Sequence, residues 1–178
     1  MQRRFLTHLL AAERSLFCAL IRSGDCSSIL GWPMNPTHVA ENPSVLVTGT
    51  SSDSHTWNLV FLQLMLEEMG HTVANLGPTP PDDLVVCEAL ALRPDLVVVS
   101  SVNGHGFNDG LRLIKAIRTE AELADTKVVI GGKLSIDGLR NVGFTRQLTA
   151  AGYDAVFEDG ALGPFRALVS RLPARAVS

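Results

Sequence analysis

Asp53 and His55 stand two residues apart in the stretch Ser51-Ser52-Asp53-Ser54-His55-Thr56-Trp57-Asn58. An imidazole can bind a transition metal through one ring nitrogen while a carboxylate holds the N–H of the other. That second contact fixes the tautomer and raises the basicity of the ligand. The same pair on a polar surface loop would do no chemistry. The chain offers no HxxxH or CxxC spacing as a second ligand set. A bare metal held by one histidine would be bound weakly. A metal already chelated by its own macrocycle would need only one protein ligand.

Other residue types invite the same weighing. Ser100-Ser101 ends an apolar run, where the hydroxyls either cap the strand or hydrogen-bond a ligand. Gly131-Gly132 is either a plain turn or a place where a ligand comes close to the backbone. His105 lies in a glycine-flanked loop and divides evenly between surface and function, whereas His71 reads as structural. Cys87 reads as a small core residue and Trp57 as a packing residue. A serine-nucleophile elbow GxSxG is absent. A phospho-acceptor reading of Asp53 would need the acceptor at the end of the third strand, where Ser100-Ser101 stands instead. A flavodoxin-type phosphate loop fits Thr48 to Ser54 only in part, because His55-Thr56-Trp57 is bulky there.

The elements that would position these residues follow a regular pattern from Ser44 onward. Apolar runs Val45–Thr50, Thr72–Leu76, Leu96–Ser101, Lys127–Ile130 and Asp154–Phe157 read as five strands. Helices are expected from Leu59 to Met69 with Gly70 as C-cap, from a Thr79 N-cap to about Arg93, and after Asp109. In that third helix Leu111, Ile114 and Ile117 share a side, with Arg112, Lys115 and Arg118 left for solvent. Two more are expected, roughly Phe144–Ala151 and a last one through Leu172. Strict alternation with apolar strands predicts an α/β fold, a flavodoxin-like (Rossmann-like) doubly wound five-stranded parallel sheet with helices on both faces. Ligands in such sheets bind at the C-terminal strand ends near the switch in strand order. The loops after the first, third and fourth strands carry all the candidate residues.

The bulk properties narrow the field. With 178 residues the chain holds one domain with a proper core. A net charge of −3 with scattered basic residues points to no nucleic-acid or anionic-membrane partner. The longest apolar run, Leu59 to Leu66, is far short of the roughly 20 residues that span a bilayer. Three cysteines without a CxxC pair argue against a disulfide framework and for a reducing, cytoplasmic protein. Residues 1–43 read as an N-terminal extension or linker, with an apolar face from Phe5 to Ile21 and a Pro-rich stretch after it. Residues 44–178 form the domain proper. Met34 is a candidate for the true start.

Taken together, Asp53-x-His55, Ser100-Ser101-Val102 and Gly131-Gly132 resemble the signature of the cobalamin-binding domain family, D-x-H-x-x-G, S-x-L and G-G. Residues 59–99 and 103–130 fill the two gaps at the family's separations. The words Ser52-Asp53-x-His55, Val99-Ser100-Ser101-x-x-Gly104-x-Gly106 and Gly152-Tyr153-Asp154 are most similar to the small subunit of glutamate mutase (methylaspartate mutase). Two positions depart: Asn58 stands for the glycine of the first motif and Val102 for the leucine of the second. Asn tolerates a left-handed backbone better than most residues.

The resemblance implies a role for each residue. His55 would replace the cofactor's own dimethylbenzimidazole as the lower ligand of cobalt, and Asp53 would hold its other nitrogen. Ser52, Ser54, Thr56 and Asn58 would complete that loop. The freed nucleotide tail would enter a slot beside the sheet. Ser100 would hydrogen-bond to it, and Ser101, Val102 and Gly104 would be further cofactor-binding residues. Gly131 and Gly132 would lie against the tail with Lys133, Leu134 and Ser135 beside it. The cofactor implied is adenosylcobalamin. The activity implied is the cofactor-binding half of a carbon-skeleton mutase interconverting L-glutamate and threo-3-methylaspartate. The chain is too short for a substrate-holding barrel, so a separate large barrel subunit is expected, touching the cofactor loops. The alternative is a non-catalytic cobalamin module, a methyl carrier or sensor. A carrier would want a helical cap for which residues 1–43 are too short, and a sensor a DNA-binding module.

Overall fold

The computed structural model describes residues 44–134, 141–158 and 160–172. The expectations for residues 1–43 and for Ser135 lie outside them. The strands are β1 (Val45–Gly49), β2 (Val73–Asn75), β3 (Leu96–Ser101), β4 (Lys127–Gly132) and β5 (Ala155–Glu158). Between them run α1 (Trp57–Glu68), α2 (Asp82–Leu92), α3 (Gly106–Thr119) and α4 (Asn141–Ala151), and α5 (Leu162–Val169) follows β5. All four pairings are parallel, in the order β2-β1-β3-β4-β5. This is the doubly wound, flavodoxin-like sheet that alternation predicts, with the strand order switching between β1 and β3.

Side-chain alternation along each strand divides the core into two layers. Leu46, Val97, Val99, Val128 and Ile130 pack with α2, α3 and α4. Val45, Val47, Leu96, Val98 and Val129 pack on the other face with α1 and α5. Both faces are covered, which is why the strands read as unbroken apolar runs.

Register then brings distant words into line. Gly49 pairs with Ser100, Ser100 with Gly131 and Gly131 with Phe157, in one row across the C-terminal edge of the sheet. The next row holds Ser101, Gly132 and Glu158. Parallel pairing thus turns sequence spacing into side-by-side contact.

Several local expectations need correction. Thr79 does not cap α2: it sits at φ 53°, and the cap position is Pro81. Two successive prolines carry the chain extended up to Asp82, leaving Thr79 too far upstream. The first turn does hold Asp82 and Asp83, which suit the positive helix end. Arg118 is not left to solvent. Its guanidinium bonds the carbonyls of Gly152 (2.9 Å), Leu123 (2.9 Å) and Thr126 (2.9 Å) and the Asp154 carboxylate (3.0 Å). Trp57 does not pack: it is 85% exposed at the first position of α1. Cys87 is buried in α2, as expected of a small core residue.

Candidate functional site

The loop between β1 and α1 is built around the Asp53 carboxylate, which is 1% exposed. Its Oδ1 accepts hydrogen bonds from the His55 backbone N–H (3.0 Å) and from His55 Nδ1 (2.7 Å). Its Oδ2 accepts from the Val102 N–H (2.5 Å), the Asn103 N–H (3.2 Å) and the Ser101 hydroxyl (3.1 Å). One side chain therefore fastens the loop after β1 to the end of β3. Burial raises the Asp53 carboxyl. Hydrogen bonds from the Val102 and His55 backbone, the His55 ring and Ser101 outweigh that and hold it below the usual carboxylate value.

An ionised carboxylate only accepts, so Nδ1 carries the proton, and in the neutral ring Nε2 keeps its lone pair. The His55 side chain is 60% exposed beside the buried aspartate. The ring is thus an imidazole held by one nitrogen and presented at the C-terminal edge of the sheet. Among the described residues no group of three or more His, Cys, Asp or Glu is placed to hold a metal ion.

The two adjacent serines face opposite ways, as strand alternation requires. Ser101 turns toward Asp53 and also receives a bond from Thr50 Oγ1 (3.4 Å). Ser100 instead accepts from Asn58 Nδ2 (2.8 Å) at the wall of a cavity on the α1–α5 face. That cavity has a volume of about 260 Å³, just under the range of small-molecule pockets, roughly 300–1,000 Å³. Asn58, Ser100, Val102, Gly131 and Gly132 line it together with Phe61, Phe157, Leu162 and Phe165. Apart from Asn58, the walls contributed by α1, β5 and α5 were not expected from the sequence, although apolar helix positions next to the strand ends were the available signal.

Glycine at position 132 has a reason inside the protein itself. Gly132 sits at φ +102°, and a Cβ there would lie 2.3 Å from the Ser101 carbonyl oxygen. Gly104 N–H bonds the Lys133 carbonyl (3.2 Å), joining the loops after β3 and β4. Leu134 is buried beneath that junction, and its carbonyl accepts from the Phe107 N–H (3.0 Å). Lys133, Ser52, Ser54 and Thr56 are exposed.

Three residues outside the expected site, among them Arg112, which periodicity assigns to solvent, hold the loop from behind. Asn103 Nδ2 donates to the Ser52 carbonyl (2.9 Å) and Oγ (3.0 Å), while its Oδ1 accepts from the His105 N–H (2.9 Å). The Ser52 hydroxyl bonds the Asp109 carboxylate. Arg112 bridges Asp109 (3.1 Å), Asp82 (2.6 Å) and Ser51 (2.6 Å). Polar residues flanking a glycine loop were the signal for Asn103; nothing local marked Asp109 or Arg112. His105 is exposed and offers only its backbone here.

Residues 43–162 match the family model of the B12 binding domain. The chain is 33% identical to the glutamate mutase sigma subunit of Carboxydothermus hydrogenoformans, over 66% of this chain and 85% of that protein. It is 31% identical to the glutamate mutase sigma subunit of Treponema denticola, over 65% of this chain and 83% of that one. Among solved structures, a cobalamin-binding protein from Desulfitobacterium hafniense superposes with a TM-score of 0.59 at 22% identity. The match covers 75% of this chain and 61% of that one. A CheY-like protein from Pseudomonas aeruginosa superposes with a TM-score of 0.51 at 22% identity, covering 75% and 98%. These two likenesses show the fold.

Proposed function

Because the chain belongs to the B12-binding domain family, we propose that it carries adenosylcobalamin, with His55 as the lower ligand of cobalt, as the cofactor-bearing subunit of a carbon-skeleton mutase. The observation that carries this reading is the Asp53–His55 pair at the strand-order switch, with Nδ1 tied down at 2.7 Å. A lone histidine suits a metal whose other ligands come from a macrocycle, and the described residues provide no larger ligand cluster. Curated relatives named as glutamate mutase sigma subunits favour L-glutamate and threo-3-methylaspartate as the substrate pair.

The cofactor, when bound, supplies the hard chemistry by homolysis of its cobalt–carbon bond. The chain's own residues bind and orient. Asp53 keeps the proton on Nδ1 and so keeps Nε2 free as a ligand. The cavity beside Ser100 would take the nucleotide tail, with Gly131 and Gly132 against it. The exposed side of the loop is left for a separate large barrel subunit that would hold substrate and exclude water.

The test is to titrate the full chain with adenosylcobalamin and record the absorption spectrum, with His55→Ala as control. The reading expects a base-off, histidine-on spectrum for the wild type and loss of that spectrum in the variant. A wild-type chain that leaves the cofactor spectrum unchanged overturns it.

A further inference from the structure

The loop that carries His55 is braced from the sheet face opposite the cavity, where α2 and α3 pack. Arg112 on α3 spreads its guanidinium over three partners. Nε donates to Asp82 (2.6 Å), Nη1 to Asp109 (3.1 Å) and Nη2 to Ser51 (2.6 Å). Asp109 accepts the Ser52 hydroxyl through its other oxygen. The turn before α2 grips the next residue. There the Thr79 N–H donates to the Asp53 carbonyl at 3.0 Å, from a backbone at φ 53°. A non-glycine residue is held at positive φ only where its surroundings fix it. Three consecutive loop residues, Ser51, Ser52 and Asp53, are thus each tied to α2, α3 or the turn between β2 and α2.

We propose that Arg112 is a positioning residue for the cofactor, holding Ser51 against Asp82 and Asp109 so that the loop presents His55 to cobalt. This rests on the functional reading above. Arg112 lines no part of the cavity and acts through Ser51. Its planar fork fixes several partners in direction as well as distance. Ordering a loop on binding costs affinity, and a loop held beforehand avoids that cost. Asp82 and Asp109, with side chains 16% and 11% exposed, share this one guanidinium, so its loss also leaves two carboxylates beside the loop without their cation. Arg112 itself is 54% exposed, so its ion pairs add little to the stability of the fold.

The test is a titration of the full chain with adenosylcobalamin, followed by absorption, for wild type, Arg112→Met, Ser51→Ala and the double variant. Arg93→Met is the control. It removes an exposed ion pair, to Glu122 at 2.6 Å, from the opposite edge of the sheet. Arg112→Met should bind about fivefold more weakly, with a smaller histidine-on fraction of the cofactor at saturation. Ser51→Ala should also weaken binding, and the double variant should be no weaker than Arg112→Met alone. Arg93→Met should match the wild type. A wild-type affinity and spectrum in Arg112→Met overturns the inference, as does equal weakening by Arg93→Met or a double variant whose losses add in full. A wild type that binds no cofactor overturns the functional reading and this inference with it.

Discussion

Asp53 Oδ1 lies 2.7 Å from His55 Nδ1, while Oδ2 of the same carboxylate accepts the N–H groups of Val102 and Asn103 at the end of β3. The residue that orients the histidine is therefore the one that ties two loops together. The orientation of the histidine and the stability of the loops are coupled through this one carboxylate.

Asp53→Asn should accordingly cost more than an ordinary surface change. The amide would have to present an N–H to groups that all donate, leaving buried donors unmet. We expect a loss of about 2–3 kcal/mol, read as a lower urea midpoint at unchanged m value. A shift within about 0.5 kcal/mol of wild type would show that the carboxylate is not holding the loops.

The depressed Asp53 carboxyl sets a direction in pH. The folded state binds its proton less readily than the unfolded chain, so this contribution is fully present above the unfolded value. It is lost as the pH falls through the folded one. Thermal stability of the wild type should therefore drop faster on acidification than that of Asp53→Asn. Parallel pH profiles for the two proteins would contradict this.

Gly132→Ala should be among the most damaging small substitutions in the chain. The added Cβ meets backbone, the Ser101 carbonyl at 2.3 Å, at a φ of +102°. Neither clash can be relieved by turning a side chain. A cost of about 3 kcal/mol or more, or loss of soluble protein, is expected, and a Gly132→Ala protein melting like wild type would refute the geometry.

Helix α1 offers a paired control. Trp57 is 85% exposed and Leu59 fully buried, two residues apart. Trp57→Ser should stay within about 0.5 kcal/mol of wild type, and Leu59→Ala should cost about 2–5 kcal/mol. Denaturant titrations that reverse this order would place the opposite face of α1 against the sheet.

Much of this was legible in the residues. Apolar runs separated by helical periodicity gave the five strands, and Gly70 (φ +86°) and Pro94 end their helices where expected. The spacing between Asp53, Ser100 and Gly131 was legible because parallel register places Gly49, Ser100 and Gly131 in one row. What stayed hidden depends on three-dimensional neighbours. The words Ser100-Ser101 do not say which hydroxyl faces the cavity and which Asp53. Trp57 is as apolar as a core residue, and only the placement of α1 shows that its side of the helix is uncovered. Asp109 and Arg112 reach Ser51 and Ser52 from about 60 positions away, a range that no periodicity reports.

The central claim is that His55 supplies the lower ligand of cobalt, and electron paramagnetic resonance of the bound cobalt(II) form of cobalamin reads that atom directly. Protein grown with ¹⁵N-histidine is compared with protein at natural abundance. The account predicts that the nitrogen hyperfine triplet becomes a doublet on labelling, and that this label-dependent splitting disappears in His55→Ala. A triplet indifferent to the label would mean that the cofactor's own base remains on cobalt, which contradicts the account.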